Sequence, residues 1–251
     1  MKISIVTISF NQAQYLRQCI ESVLEQTGCE LEYIIVDPGS TDGSREIIES
    51  YGDRIIRVFE PDAGPADGLN RGFNRASGDV FGFINSDDYL LPGALRRVTD
   101  YFSQKGARYF MTGQGYVEDA DGRPARVHPR PMTLTTMLHR SVIIFQQATF
   151  FPAQAYFEVQ GFNVNNDTCW DYELFIRFLL SGLEHEVVSA DLATFRLHAN
   201  SISGSGRLTI RYLAELDKIF QEILGRERNL KDKMYTQFLR ARRELAGLIK
   251  K

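Results

Sequence analysis

The chain has 251 residues, 43% hydrophobic and 24% charged, enough for one large α/β unit with an appendage. No apolar run approaches the ~18 residues needed to span a membrane, and Cys19, Cys29 and Cys169 form neither a disulfide framework nor a zinc pattern. The net charge of −3 hides an asymmetry: from Arg207 onward 12 Lys/Arg stand against 6 Asp/Glu, so the first 206 residues carry −9, which argues against nucleic acid as a partner of the body. With no signal-peptide layout after Met1, reduced thiols and a cytoplasmic location are expected.

Taken in order, Lys2 to Ser9 alternates with β-branched residues and predicts a first strand, broken at Asn11-Gln12. Leu16, Ile20, Val23 and Leu24 then repeat at helical spacing. Leu31 to Val36 predicts a second strand, closed by Asp37-Pro-Gly-Ser-Thr-Asp-Gly-Ser44, which is dense in turn formers. A short helix from Arg45 to Tyr51, a strand from Arg54 to Phe59, and a helical stretch from Pro65 to Ala76 follow. Val80-Phe-Gly-Phe-Ile84 predicts a buried strand ending in Asn85-Ser-Asp-Asp88. Strands alternating with helices imply βαβ units, a parallel sheet and right-handed crossovers. Three strand ends, Ser9 to Asn11, Asp37 to Ser44 and Asn85 to Asp88, therefore converge on one edge.

Neither G-x-G-x-x-G after the first strand nor a P-loop motif occurs, so a bound phosphate needs another partner. Two adjacent carboxylates at a strand end are unfavourable unless something positive lies beside them. Hard oxygen ligands suit Mg²⁺ or Mn²⁺, which keep open positions for substrate phosphates. The plainer reading of Asn85 to Asp88 is a solvated turn.

Beyond Pro92 a helix to Phe102, a strand from Arg108 to Thr112, a hairpin and loop over Gly113 to Arg130 and a short helix from Thr133 to His139 are expected. Gln147 interrupts the apolar run Val142 to Phe151 and faces either substrate or core partners. Asp171 falls in the first turn of a helix over Cys169 to Leu180, where a cap is the ordinary role. Trp170 beside it either stacks on a sugar ring or fills core. Leu192 to Leu197 predicts a last strand, placing His198 at its end. Ser203-Gly-Ser-Gly206 reads as a link between a domain over 1–206 and a helical appendage over 207–251. The appendage either packs on the body or rests as a basic amphipathic surface on anionic lipid, a peripheral contact at the inner face of a membrane.

Together these motifs resemble the family 2 glycosyltransferases, inverting enzymes of the GT-A fold, over roughly Lys2 to Ser203. The resemblance rests on Thr7-Ile-Ser-Phe-Asn-Gln12, Glu32 to Ser44, Glu60 to Gly72, Asn85-Ser-Asp-Asp88, Trp170-Asp171-Tyr-Glu-Leu174 and Arg196-Leu-His198. It implies a mainly parallel mixed sheet flanked by helices. It further implies donor binding at Thr7, Ser9, Asn11, Asp37, Ser40, Asp42, Asp67, Asn70, Arg71 and Asp87, with Mn²⁺ or Mg²⁺ at Asp88 and His198. Asp171 matches the catalytic base, and Gln147 and Trp170 are assigned to the acceptor pocket. Trp170 stands where many members have Glu, and Ile8 where Pro is common.

The activity so implied is metal-dependent inverting transfer, of hexosyltransferase type, from a nucleotide-diphosphate sugar. UDP is the expected carrier, and the acceptor is a glycan or lipid-linked intermediate in polysaccharide synthesis. The alternatives are a non-catalytic nucleotide-sugar or glycan-binding scaffold and a nucleotidyltransferase.

Overall fold

The computed structural model describes residues 1–198 and 208–248. The expected link at Ser203 to Gly206, the boundary at 206, Lys250 and Lys251 lie outside them. Strands β1 (Lys2–Ile8), β2 (Glu30–Val36), β3 (Ile56–Val58) and β4 (Val80–Asn85) pair in parallel in the order β3-β2-β1-β4. Helices α1 (Ala13–Leu24), α2 (Ser44–Glu49) and α3 (Pro65–Phe73) make the crossovers. The order reverses between β1 and β4, and in such sheets ligands bind at the carboxyl ends beside that reversal.

The chain continues through β5 (Tyr89–Leu90), α4 (Ala94–Lys105), β6 (Tyr109–Glu118), β7 (Pro124–Val127) and α5 (Leu134–Leu138). Then come β8 (Thr149–Pro152), α6 (Ala153–Glu158), α7 (Trp170–Leu180) and β9 (Glu184–Arg196). The sheet has nine strands, running β3-β2-β1-β4-β8-β6-β9-β5 with β7 on β6. β8 is antiparallel to both β4 and β6, which makes the sheet mixed.

One expectation changes in detail, and one apolar run takes its form. The strand expected at Leu192 to Leu197 is the end of the 13-residue β9, whose first half opens on Glu184-His185-Glu186 and lacks the strict alternation that marks a strand. The apolar run Val142 to Phe151 does not form one strand. A 3₁₀ turn at Gln146–Ala148 interrupts it, held to the sheet because Gln146 Nε2 donates to Phe83 O at 2.6 Å.

Alternation along β1 sorts its side chains onto two core layers. Ile3 and Ile5 face α1 and α4, packing with Leu16, Ile20, Leu95 and Val98. Val6 faces α3 and α7, among Leu69, Phe73, Leu174 and Phe178. Gly72 lets α3 approach closely: a Cβ there would lie 2.5 Å from Val6 Cγ1. The C-terminal helices α8 (Thr209–Leu224) and α9 (Leu230–Leu248) complete the chain. Leu216, Ile219 and Phe220 of α8 enter the same core as α7, so the appendage packs on the body.

Candidate active site

The ends of β1 and β2 are tied by Ser9 N donating to Val36 O at 2.9 Å. Asp37 follows β2 directly and is fully buried. Its Oδ1 accepts from Gly39 N (3.0 Å), Ser40 N (2.8 Å) and Arg45 Nε (3.1 Å), while Arg45 Nη2 reaches Asp37 O. Among the described residues, Asp37 Oδ2 and Ser9 Oγ have no hydrogen-bond partner despite burial. Such orphaned polar atoms are costly, on the order of 1–3 kcal/mol each, and leave acceptor capacity at this edge. Arg45, which no motif singled out, is the cation that lets Asp37 sit there, and it also stacks 4.8 Å over the Phe59 ring.

Several residues expected at the donor have other work in this structure. Thr7 is fully buried, with Oγ1 3.0 Å from Tyr33 OH. Strand alternation puts it on the α1 face with Ile3 and Ile5, away from the edge. Asn11, at φ 53°, takes Ser40 Oγ on its N–H and accepts Thr41 N on Oδ1. Asp42 accepts from Ala13 N at the start of α1 and from Ser44. These contacts, Ser40 included, lock the two loops together. Asn70 is a clamp: Oδ1 accepts from Tyr156 OH (2.6 Å) and Phe162 N (2.9 Å), and Nδ2 donates to Phe162 O. Asp67 and Arg71 pair with each other at 3.0 Å, with Glu60 also on Arg71.

At the end of β4 the two carboxylates part company. Asp88 is 0% exposed, its Oδ1 accepting from Arg196 N (2.8 Å) and its Oδ2 from Gln147 Nε2 (2.9 Å). Burial, with Asp87 beside it, pushes its carboxyl well above the usual range. Asp87 instead points its Oδ2 at His198 Nε2, 3.0 Å away. The expected ligation by Asp88 thus meets a carboxylate shut in by protein donors, while Asp87 and His198 lie together.

The cause is sheet register. Tyr89 pairs with Thr194 and Leu90 with Ala193 in antiparallel β5 and β9, which brings the ends of both segments side by side. Arg196 seals the join: Nη1 donates to Asp87 O (2.6 Å), Nη2 to Gln18 Oε1 (2.7 Å), and the guanidinium lies over Tyr15 and Tyr89. Among the described residues no three His, Cys, Asp or Glu side chains gather to hold a metal. A carboxylate beside an imidazole nevertheless fits a Mn²⁺-type donor set with positions left for phosphate oxygens and water.

A cavity of about 290 Å³ opens beside this edge, lined by Asn85, Gln147, Ile143, Thr168, Trp170 and Asp171 among others. Asp171 sits in the first turn of α7 and takes one backbone donor, Tyr172 N at 2.7 Å. Burial pushes its carboxyl up to about 6. Gln147 both lines the cavity and bonds Asp88, so this wall is continuous with the Asp87-Asp88 turn. Trp170 packs against Phe83 and Phe162 and is 8% exposed where it lines the cavity. Glu215 of α8, without any sequence signal, accepts from Asp167 N (3.1 Å), Thr168 N (3.0 Å) and Thr168 Oγ1. It thereby holds the loop that enters α7.

A parallel half, β3-β2-β1-β4, joined through β8 to a mixed half, with acidic side chains at the strand ends, is the GT-A arrangement. The sequence profile of glycosyl transferase family 2 matches residues 4–176, and the chain belongs to that family. It is similar to the putative teichuronic acid biosynthesis glycosyltransferase TuaG of Bacillus subtilis, 29% identical over 210 residues, covering 81% of this chain and 82% of that protein. An uncharacterized glycosyltransferase of Nostoc is 41% identical over 106 residues, 41% of this chain but only 33% of its own length. Several other curated relatives are likewise matched over less than half their length.

Among solved structures, S. aureus TarS 1–349 in complex with UDP-GlcNAc superposes with TM-score 0.72 at 17% identity, covering 96% of this chain and 71% of that one. A Pyrobaculum calidifontis mannosyltransferase in complex with GDP-Man and Mn²⁺ gives 0.67 at 14%, covering 94% and 69%. Among the described residues no helix is long and apolar enough to cross a membrane.

Proposed function

We propose that the chain transfers a sugar, with inversion, from a UDP-sugar to an acceptor hydroxyl of a glycan or lipid-linked intermediate. The observation that carries this is Asp171, a carboxylate of raised pKa on the wall of a cavity whose other wall runs into the Asp87-Asp88 turn. A general base needs spare acceptor capacity and a pKa near the working pH, and Asp171 has both. It takes the acceptor proton as that oxygen bonds the anomeric carbon and the nucleoside diphosphate departs from the opposite face. One displacement from the far side inverts the centre.

Donor binding is assigned to the edge of β1 and β2. A pyrimidine N–H matches the orphaned Asp37 Oδ2, and Ser9 Oγ supplies a second polar contact. Ser40, Asn11 and Asp42 act there by fixing the loops, and Arg71 by its charge on α3. Asp87 and His198 are proposed to hold Mn²⁺ or Mg²⁺, with Asp88 behind them setting the turn. Bound there, the ion would supply Lewis-acid neutralisation of the leaving diphosphate. The likeness to a putative teichuronic acid biosynthesis glycosyltransferase supports a role in polysaccharide biosynthesis.

Thermal-shift titration with a panel of nucleotide sugars, with and without Mn²⁺, tests donor and metal together. Stabilisation by a UDP-sugar that grows with Mn²⁺ is expected. Equal stabilisation in chelator would remove the cation, and a preference for GDP-sugars would remove the pyrimidine. Turnover that survives EDTA in full would also contradict the metal assignment.

A further inference from the structure

Helix α9 is built inside out. Its face toward the body carries polar side chains: Asp232 is paired with Arg226 at 2.6 Å, Thr236 lies 3.3 Å from His139, and Arg243 reaches Ser141 O. Asp232 and Thr236 are buried. The opposite face carries Leu230, Met234 and Phe238 at i, i+4 and i+8, exposed by 72%, 62% and 59%. Tyr235 stacks beside Phe238 with ring centroids 6.2 Å apart. A surface helix ordinarily turns its apolar stripe inward. Here the stripe faces solvent, so burial against the body does not explain it.

We propose that this stripe docks on an anionic lipid surface. Its flanks supply the charge complementarity: Lys231 and Arg242 lie on one side and Lys233 on the other, all exposed. Of the two acids within the described part of the helix, Asp232 is buried and paired with Arg226, and Glu244, 72% exposed and 3.8 Å from Arg243, is outnumbered by Lys231, Lys233, Arg240 and Arg242. Apolar residues with a cationic border are what an interfacial helix presents to acidic headgroups. A second copy fits less well, because a twofold antiparallel pairing centred on Met234 brings Lys231 level with Gln237 and Lys233 level with Tyr235, offering the cationic border no acid.

The body-facing side of α9 also reaches the segment that leads to the cavity. Arg240 Nε donates to Arg140 O at 3.0 Å and Arg243 Nη1 to Ser141 O, and Ile143, two residues on, lines the cavity while 52% exposed. Docking at α9 therefore holds the body, with its cavity, one helix diameter of ~10 Å from the lipid surface. That a lipid-linked acceptor enters there rests on the proposed transferase reading; docking itself does not.

Co-sedimentation of the full chain with vesicles is the test, using phosphatidylcholine alone and phosphatidylcholine with phosphatidylglycerol in equal parts. Binding is expected to the mixed vesicles only, and to weaken with salt. Met234→Ser with Phe238→Ser should weaken it by about tenfold or more, with the melting temperature unchanged because both side chains are exposed. Lys231→Glu with Arg242→Glu should abolish the preference for anionic vesicles.

Wild-type protein left in the supernatant, or either double variant binding like wild type, would overturn the proposal. So would a concentration-dependent dimer in sedimentation velocity that Met234→Ser with Phe238→Ser dissociates, since the stripe would then belong to a second copy. Vesicle binding is read without donor or acceptor, so it fails or succeeds apart from transferase activity.

Discussion

Asp88 and Asp171 are both buried enough to be pushed upward in pKa, yet the structure equips them for opposite work. Asp88 has a donor on each oxygen, from Arg196 N and Gln147 Nε2, and no exposure. Asp171 has one backbone donor and a cavity in front of it. A carboxylate enclosed with a protein donor on each oxygen holds structure, and one that faces a cavity with acceptor capacity to spare can take a proton. What separates the roles is the inventory of partners, which burial alone does not reveal.

The largest expected effect strips the spare carboxylate. Asp171→Asn should lower kcat by roughly 10²–10⁴-fold while leaving donor affinity in thermal shift unchanged. Unaltered turnover would move the base elsewhere. The contrast with the metal edge comes next: Asp87→Asn should abolish the Mn²⁺ enhancement of donor binding. Asp88→Leu should act first on stability, costing about 1–3 kcal/mol by denaturant unfolding because Gln147 and Arg196 N lose their acceptor. If Asp88→Leu kept stability but lost the metal response, the assignments of the pair would be exchanged.

Titration sharpens the same comparison. With Asp171 at about 6, kcat/KM should rise with pH through an acid limb near 6 and then level off, since only the ionised form is a base. The sign for stability is the reverse. Above 6 the carboxylate is ionised in both states and burial penalises the folded one; below the unfolded value of about 4 it is neutral in both, and the penalty disappears. Asp171→Asn should therefore raise the melting temperature at about pH 8 and have little effect at about pH 4. The smallest effect belongs to the loop before α7. Glu215→Gln weakens the hold on Asp167 and Thr168 and should cut kcat by about tenfold, with the donor KM unchanged, as for a lost positioning contact. A drop in stability with kcat intact would leave Glu215 a purely structural residue.

Much of the fold was legible because its signals are local. The β-branched runs at Lys2 to Ser9, Leu31 to Val36 and Val80 to Ile84, and the helical spacing of Leu16, Ile20 and Val23, follow from residue shape and period. The β9 segment before Leu192 was hidden because it opens on three polar residues, Glu184-His185-Glu186, and breaks the alternation by which a half-exposed strand is read. Among site residues, the convergence of Ser9, Asp37 and Asn85 to Asp88 could be read from strand ends alone. Thr7 lies one residue from that edge, but the pleat turns it into the core against Tyr33. Asn70 was readable as a polar helix residue, though its use as a clamp on Phe162 depends on a loop 92 residues away.

By itself the sequence determined the order of elements, the edge where strand ends gather, and the chemical types available there, because period, turn chemistry and charge are properties of short segments. Which carboxylate faces a cavity and which is enclosed was decided only in three dimensions. The β5–β9 register sets Asp87 beside His198 and Asp88 under Arg196, and α8 reaches back to the loop before Asp171. The inverted face of α9 belongs to the same category: its apolar stripe has the period of a buried one, and only packing shows which side met the body.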